Sequence, residues 1–165
     1  MPTIAEFNAA SPEAAADTLR PCLDVDRWID QIVADRPYAD TAALATAAET
    51  AAQPLTRAEV DGALAHHPRI GERAQGDSTE AGLSRGEQSG LDLGADVQAR
   101  LAAGNAEYER RFDRVFLIRA AGRTAPEILD QLTQRLANDD ETEAEIVAQQ
   151  LREIAVLRLQ GAVSA

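Results

Sequence analysis

The residues best suited to acid–base chemistry lie in one short stretch, where residues 66–72 read HHPRIGE and include both histidines of the chain. Upstream, Thr56 and Glu59 have the spacing of a capping box that begins a helix. Pro68 predicts the end of that helix, because proline disfavours helical geometry in the residue before it. His67 is therefore expected at a helix C-terminus, where an imidazole can exchange a proton near neutral pH. The plainer interpretation is that His-Pro only marks a helix end.

A second polar stretch, residues 84–91 with the sequence SRGEQSGL, is the other candidate. Ser84 and Glu87 fit an S-x-x-E capping box, which predicts a helix start with N–H groups free to bind anions or carbonyl oxygens. Gly86 and Gly90 fit a helix interior poorly and indicate a close approach of the backbone to a ligand. Glu87 and Gln88 add an acceptor and a two-way amide, which suit a small, nitrogen-rich ligand. An ordinary helix cap is the alternative.

Other chemistries find little support in the residues. Adjacent side chains such as His66 and His67 point about 100° apart on a helix and rarely chelate one ion. The single Cys22 excludes an internal disulfide and a cysteine-based metal site. Ser84 and Ser89 lack the strand–turn–helix motif of an activated nucleophile. No glycine-rich phosphate loop is present. We therefore expect no metal site.

The composition limits the class of protein. A chain of 165 residues fits one domain, and 45% apolar with only 4% aromatic residues favours helices over sheets. The formal net charge of -12 argues against a nucleic-acid partner, since binding to phosphates needs clustered positive charge. No run approaches the ~20 apolar residues of a membrane span. The first residues lack a basic signal segment, the last lack a peroxisomal address, and a lone cysteine suits a reducing compartment, so we expect a cytoplasmic protein.

The spacing of apolar and capping residues predicts helices separated by short breaks. The expected helices cover 12–19 after Ser11, about 26–35, a segment after Asp40, 57–67, about 93–118, a segment after Thr124, and a last one capped by Asp140. The polar residues 71–83 are expected to form a surface loop that could cover a site. Tyr108 and Phe112 are expected in the core. We predict an all-α fold with a single compact multi-helix domain over residues 1–165, either an enzyme or a non-enzymatic helical interaction module.

Taken together, the two polar stretches are similar to a known family. The HPRIGE sequence at 67–72, followed by Ser-x-x-Glu-Gln-x-Gly-Leu at 84–91, resembles 2-oxo-4-hydroxy-4-carboxy-5-ureidoimidazoline (OHCU) decarboxylase, a late enzyme of urate breakdown. Further matches extend along most of the chain, from Phe7-Asn8 and Trp28 through Asn105 and Tyr108 to Arg158-Leu159. The joint order of these residues is more specific than any one of them.

The resemblance implies the fold, activity and site. It implies an all-α enzyme that converts OHCU to (S)-allantoin without a cofactor, acts on a small molecule, binds no nucleic acid or membrane, and forms a homodimer. His67 would be the acid–base residue and Glu87 its partner or a ligand of substrate N–H groups. The substrate-binding positions would be Pro68, Ser84, Arg85, Gly86, Gln88, Ile118, Arg119, Ala120, Ala121, Gly122 and Arg158. A lone arginine such as Arg158 can also simply extend from a helix end to solvent.

Overall fold

The computed structural model describes all 165 residues and contains nine α-helices. The only β-type pairing is an isolated bridge between Thr3 and Ser164. The predicted all-α class is confirmed. The helices are α1 (Ile4–Ala9), α2 (Pro12–Leu19), α3 (Asp26–Ala34), α4 (Thr41–Ala51), α5 (Arg57–Leu64), α6 (Thr79–Gln88), α7 (Ala95–Phe112), α8 (Ala125–Arg135) and α9 (Asp140–Ala162).

Most helix starts follow the side-chain caps in the sequence. The hydroxyl of Ser11 accepts a hydrogen bond from the N–H of the third residue after it, and Asp40 does the same through its carboxylate. Thr56 and Thr124 each form both hydrogen bonds of a capping box with the glutamate three residues later. These caps satisfy N–H groups that a helix leaves without an internal partner, which explains why they could be read from the sequence.

The predicted helix start at Ser84 is wrong. Helix α6 begins at Thr79, and Ser78 caps it by accepting a hydrogen bond from the N–H of Ala81 at 3.1 Å. Ser84 therefore lies inside the helix and Glu87 in its last turn. Ala81 and Ser84 are the buried face of α6, so side-chain burial selects this register over the capping box. The surface loop is correspondingly shorter than expected and ends at Ser78.

Helix α1, which the sequence marks only by a Thr3–Glu6 capping box, was not predicted. Three other helix ends also differ from the prediction. Helix α5 ends at Leu64, three residues before His67. Helix α7 ends at Phe112, where Asp113 adopts a left-handed conformation with φ of 53°. At the start of α9 it is Asp139, not Asp140, whose carboxylate accepts the N–H of Thr142 at 2.7 Å.

The contacts group the chain into two compact units, so that the prediction of one domain over 1–165 stays a prediction. Unit 1 comprises residues 1–63 and 151–165, and unit 2 comprises residues 64–150. In unit 1, helices α2, α3 and α4 pack in sequence. The buried indole of Trp28 donates to the carbonyl of Ala48 at 2.8 Å and joins α3 to α4.

Unit 2 is built around the packing of α7 on α8. Tyr108 and Phe112 lie in its apolar core, as predicted, together with Leu101, Phe116 and Ile128. The core also contains an ionic network, which was not anticipated. The carboxylate of Glu143 accepts a hydrogen bond from the hydroxyl of Tyr108 at 2.5 Å. It also accepts one from Nη2 of Arg135 at 2.5 Å. Burial and the Glu143 carboxylate raise the pKa of Tyr108.

Candidate active site

The two histidines lie in the turn that follows α5. The N–H of His67 donates to the carbonyl of Leu64 at 3.0 Å, and this hydrogen bond closes the turn directly after α5. His66 is exposed, whereas His67 and Pro68 are partly buried. Gly71 has φ of +90°, a conformation that side chains other than glycine rarely adopt, and it ends the turn. Partial burial makes His67 the better candidate of the two for chemistry in a shielded site.

The end of α6 is held against this turn. The side-chain oxygen of Gln88 accepts a hydrogen bond from the N–H of Gly71 at 3.1 Å. Gln88 is the last residue of α6. Its bond to Gly71 therefore places the last turn of α6, which includes Glu87, next to the turn that carries His67. The structure thus brings the two predicted polar stretches into one region of unit 2. With its oxygen used by Gly71, the amide of Gln88 retains its NH₂ group for donation.

The predicted positions on α6 differ in environment from the expectation. Ser84 is buried, Arg85, Glu87 and Gln88 are partly buried, and Gly86 is exposed. Their N–H groups fall in the interior of a helix, where they bond to carbonyls four residues earlier. The expected anion-binding helix N-terminus at Ser84 is therefore wrong. Any ligand here must be read by the side chains of α6, not by its main chain.

Arg85 holds the loop that precedes α6. Its guanidinium donates to the carbonyls of Ala74 and Gly76 at 3.1 and 2.9 Å. A cavity of about 400 Å³ lies beside this loop. Its lining residues are Gly71, Glu72, Arg73, Arg85, Gln88, Ser89, Leu93 and Gln98. The cavity thus shares Gly71, Arg85 and Gln88 with the predicted site region, while His67 and Glu87 do not line it.

The predicted substrate strip from Ile118 to Gly122 lies between α7 and α8 and has no helical structure. Part of its main chain is already engaged. The N–H of Arg119 donates to the side-chain oxygen of Gln150 at 2.9 Å, and the carbonyl of Ala120 accepts the N–H of Arg123 at 3.1 Å. Ile118 and Ala120 are buried, whereas Ala121 is partly buried and Gly122 is exposed. The strip is therefore a fixed segment and not a free loop.

Arg158 belongs to unit 1 and lies in the last part of α9. It is only 5% exposed, so it is not an arginine that extends into solvent. Its guanidinium donates to the carbonyl of Pro21 at 3.0 Å. Burial raises the pKa of the neighbouring Cys22 thiol to about 12, although the charge of Arg158 opposes that shift. A buried guanidinium suits recognition of an anionic or strongly polar group.

Asn105 is a residue of this region that reasoning from the sequence left without a role. It is buried in α7, and its NH₂ group donates to the carbonyl of Ile70 at 2.9 Å. The available signal was its position among Leu101, Tyr108 and Phe112 at helical spacing, where a polar residue on an apolar face needs a partner.

The structure, which describes every residue, contains neither a metal-binding cluster nor a membrane-spanning helix. No group of three or more histidine, cysteine, aspartate or glutamate side chains is arranged to hold a metal ion. None of the nine helices combines the length and the apolar character that crossing a membrane requires.

Comparison with solved structures establishes the fold. One crystal structure, of OHCU decarboxylase in the presence of (S)-allantoin, aligns with a TM-score of 0.70 at 23% identity over 92% of this chain and 97% of the other. A second, of (S)-allantoin synthase, aligns with a TM-score of 0.73 at 16% identity and covers 99% of this chain but 54% of the other.

Sequence relatives identify the family. The chain is 32% identical over 131 residues to 2-oxo-4-hydroxy-4-carboxy-5-ureidoimidazoline decarboxylase of Amia calva, covering 78% of this chain and 75% of that protein. It is 26% identical over 151 residues to the uric acid degradation bifunctional protein TTL of Arabidopsis thaliana, and it spans about half of that longer protein, 47%. The model of the family OHCU decarboxylase matches residues 8–160. The chain therefore belongs to the OHCU decarboxylase family.

Proposed function

We propose that this protein decarboxylates OHCU to (S)-allantoin in urate breakdown. The observation that carries the proposal is the family match over residues 8–160. The site geometry supports it, because the partly buried His67 lies in a turn that Gln88 ties to the end of α6. A helical module that only bound other proteins would have no need of a shielded histidine beside a set of polar side chains.

The reaction needs no added electron sink. As the bond between the ring carbon and the carboxylate breaks, carbon dioxide leaves and the electron pair moves into the adjacent ring C=N. The hydroxyl on the decarboxylated carbon then becomes a carbonyl and gives up its proton, the ring nitrogen gains one, and one proton delivered to one face of the former C=N carbon gives a single enantiomer. The protein must hold the carboxylate out of the ring plane, stabilise the developing charge and place the proton donor. We accordingly expect neither metal nor cofactor to be required, and chelation with metal analysis checks this.

His67 is the acid–base residue in this scheme, and Glu87 either orients its imidazole or binds substrate N–H groups. Ser84 and Gln88 hydrogen-bond the ring and the ureido arm, and the NH₂ group of Gln88 suits a substrate carbonyl. Arg158 binds oxygens that gain charge in the transition state. A tight clamp on the departing carboxylate would favour the ground state instead and slow the reaction.

The remaining substrate-binding positions proposed are Pro68, Arg85, Gly86 and residues 118–122. Arg85 has a second role, since it also bonds the loop before α6. Because the N–H of Arg119 is engaged by Gln150, other main-chain groups of the strip would have to read the substrate. A homodimer and a cytoplasmic location stay predictions, and sedimentation velocity checks the first.

The test is formation of one allantoin enantiomer from freshly generated OHCU, followed by circular dichroism. The wild-type protein should build up the S enantiomer faster than the uncatalysed blank. His67→Asn should remain folded and lose about 10²–10⁴-fold in turnover, the usual contribution of general acid–base catalysis. His66→Asn is the matched control and should change turnover little. Racemic drift equal to the blank in the wild type would support the interaction module.

A further inference from the structure

The peptide group between Ile70 and Gly71, which ends the short segment after His67, is held from two sides. On one side, the N–H of Gly71 donates to Gln88 of α6. On the other, the carbonyl of Ile70 accepts a hydrogen bond from Asn105 of α7 at 2.9 Å. The side chain of Ile70 is itself buried in the core of unit 2. The amide side chains of Gln88 and Asn105 therefore fix the end of the segment that follows His67.

Asn105 has a further feature that is unusual in a folded protein. It is 5% exposed, and its side-chain oxygen is buried without any hydrogen-bond partner. Most buried polar atoms are paired, because burial removes their bonds to water. The orientation of the amide follows from Ile70, since the reverse placement would set two oxygens against each other. An apolar residue would avoid the unpaired oxygen, so the presence of an amide points to its donor end.

A second contact between α7 and this turn is weaker. Arg69 forms an ion pair with Glu109, one helical turn after Asn105, with a shortest distance of 2.5 Å. The two side chains are 46% and 28% exposed, and ion pairs in water contribute little to fixing a geometry. The buried hydrogen bond of Asn105 is shielded from competing water and is therefore the better constraint.

We propose that Asn105 is a positioning residue for His67. By holding the carbonyl of Ile70, it fixes the turn that carries the imidazole in the geometry needed for proton transfer. The inference rests on the proposed function and adds to it a residue outside the substrate contacts. Misplacing a catalytic group by a fraction of an ångström to about 1 Å reduces rates by up to about 10²-fold.

The first test is Asn105→Leu, which keeps the size of the side chain and removes the donor. We expect kcat to fall by about 10–100-fold, with a smaller change in KM. The matched control is Asn8→Leu. Asn8 in unit 1 makes the same kind of bond, donating to the carbonyl of Tyr38 at 2.8 Å. The Asn8→Leu variant should have a lower melting temperature, with kcat within about twofold of the wild type.

A second variant keeps the test decisive if Asn105→Leu folds poorly. Asn105→Asp preserves the shape, but an ionised carboxylate repels the carbonyl of Ile70. A protonated one can donate to it, and burial favours the protonated form. The ratio of variant to wild-type kcat should therefore rise as the pH falls. The charged neighbours in the turn and on α7 are Arg69 and the two carboxylates paired with it, Glu72 and Glu109. Glu72→Gln and Glu109→Gln test whether either carboxylate causes the pH dependence.

The outcomes separate the two proposals. An active wild type with reduced kcat in the Asn105 variants, and a ratio that rises at lower pH, supports both. An active wild type with unchanged kcat in Asn105→Leu and Asn105→Asp overturns the positioning role alone. A wild type that produces allantoin no faster than the blank overturns the proposed function, and the positioning role with it.

Discussion

Glu143 is the residue whose neutralisation should affect stability most. Its carboxylate is fully buried at 0% exposure and accepts hydrogen bonds from Tyr108, from Arg135 and, at 3.0 Å, from Asn138. Arg135 is itself only 3% exposed. Glu143→Gln keeps the size of the side chain and most of its hydrogen bonds. It leaves the charge of Arg135 in the protein interior without a counter-charge.

The expected loss follows from that burial. Removing one partner of a buried ion pair costs about 3–5 kcal/mol. The lower end suits Gln, because its oxygen can still accept from Arg135, which also retains a hydrogen bond to the carbonyl of Leu117 at 2.6 Å. For a chain of this size, 1 kcal/mol lowers the melting temperature by about 2–4 °C. Glu143→Gln should therefore melt at least about 6 °C lower than the wild type.

The assay is thermal unfolding followed by far-ultraviolet circular dichroism. Glu145→Gln is the control, since Glu145 lies in the same helix but is exposed, and such a change is usually within about 0.5 kcal/mol of neutral. Adding Arg135→Met to Glu143→Gln should recover part of the loss, because no unpaired charge is left. Equal melting temperatures for the two glutamine variants would refute the argument from the buried charge.

Four further predictions concern the site, the thiol, the α7–α8 packing and a glycine of α5. Glu87→Gln should lower turnover about 10–150-fold, as expected for a charge-assisted hydrogen bond of ~1.5–3 kcal/mol, with little change in melting temperature; unchanged turnover would remove Glu87 from the mechanism. Burial raises the pKa of Cys22 from 9.0 to about 12. A thiol reagent should therefore react only after unfolding, and the stability gained from the neutral thiol should persist below pH 9.0 and decline as the pH rises toward 12. In Gly104→Ala the added carbon would lie 2.3 Å from Leu132, which should lower stability by about 1–3 kcal/mol in denaturant unfolding. Gly62→Ala, with nothing within 4 Å, should raise stability by about 0.5–1 kcal/mol.

Helix starts were the most predictable part of the fold. Thr56, Asp40 and Thr124 satisfy N–H groups a few residues away, so the information lies within one short segment. The same local logic failed at Ser84, where a good capping box lies inside a helix. There Ser78 caps the helix at an earlier position, and the buried residues Ala81 and Ser84 both fall inside α6. The choice between two possible caps depends on packing and cannot be made from the capping pattern alone.

The candidate site also combines features that the sequence determines with features that depend on the packing of helices. The sequence by itself determined the all-α class, the family, and the two polar stretches with His67 and Glu87, because composition, periodicity and motif order are properties of the linear chain. Only the tertiary structure decided that Gln88 bonds to Gly71, that Asn105 holds Ile70, and that the oxygen of Asn105 lacks a partner. These contacts join residues 17 and 35 positions apart. Their formation depends on how α6 and α7 pack, which no local pattern encodes.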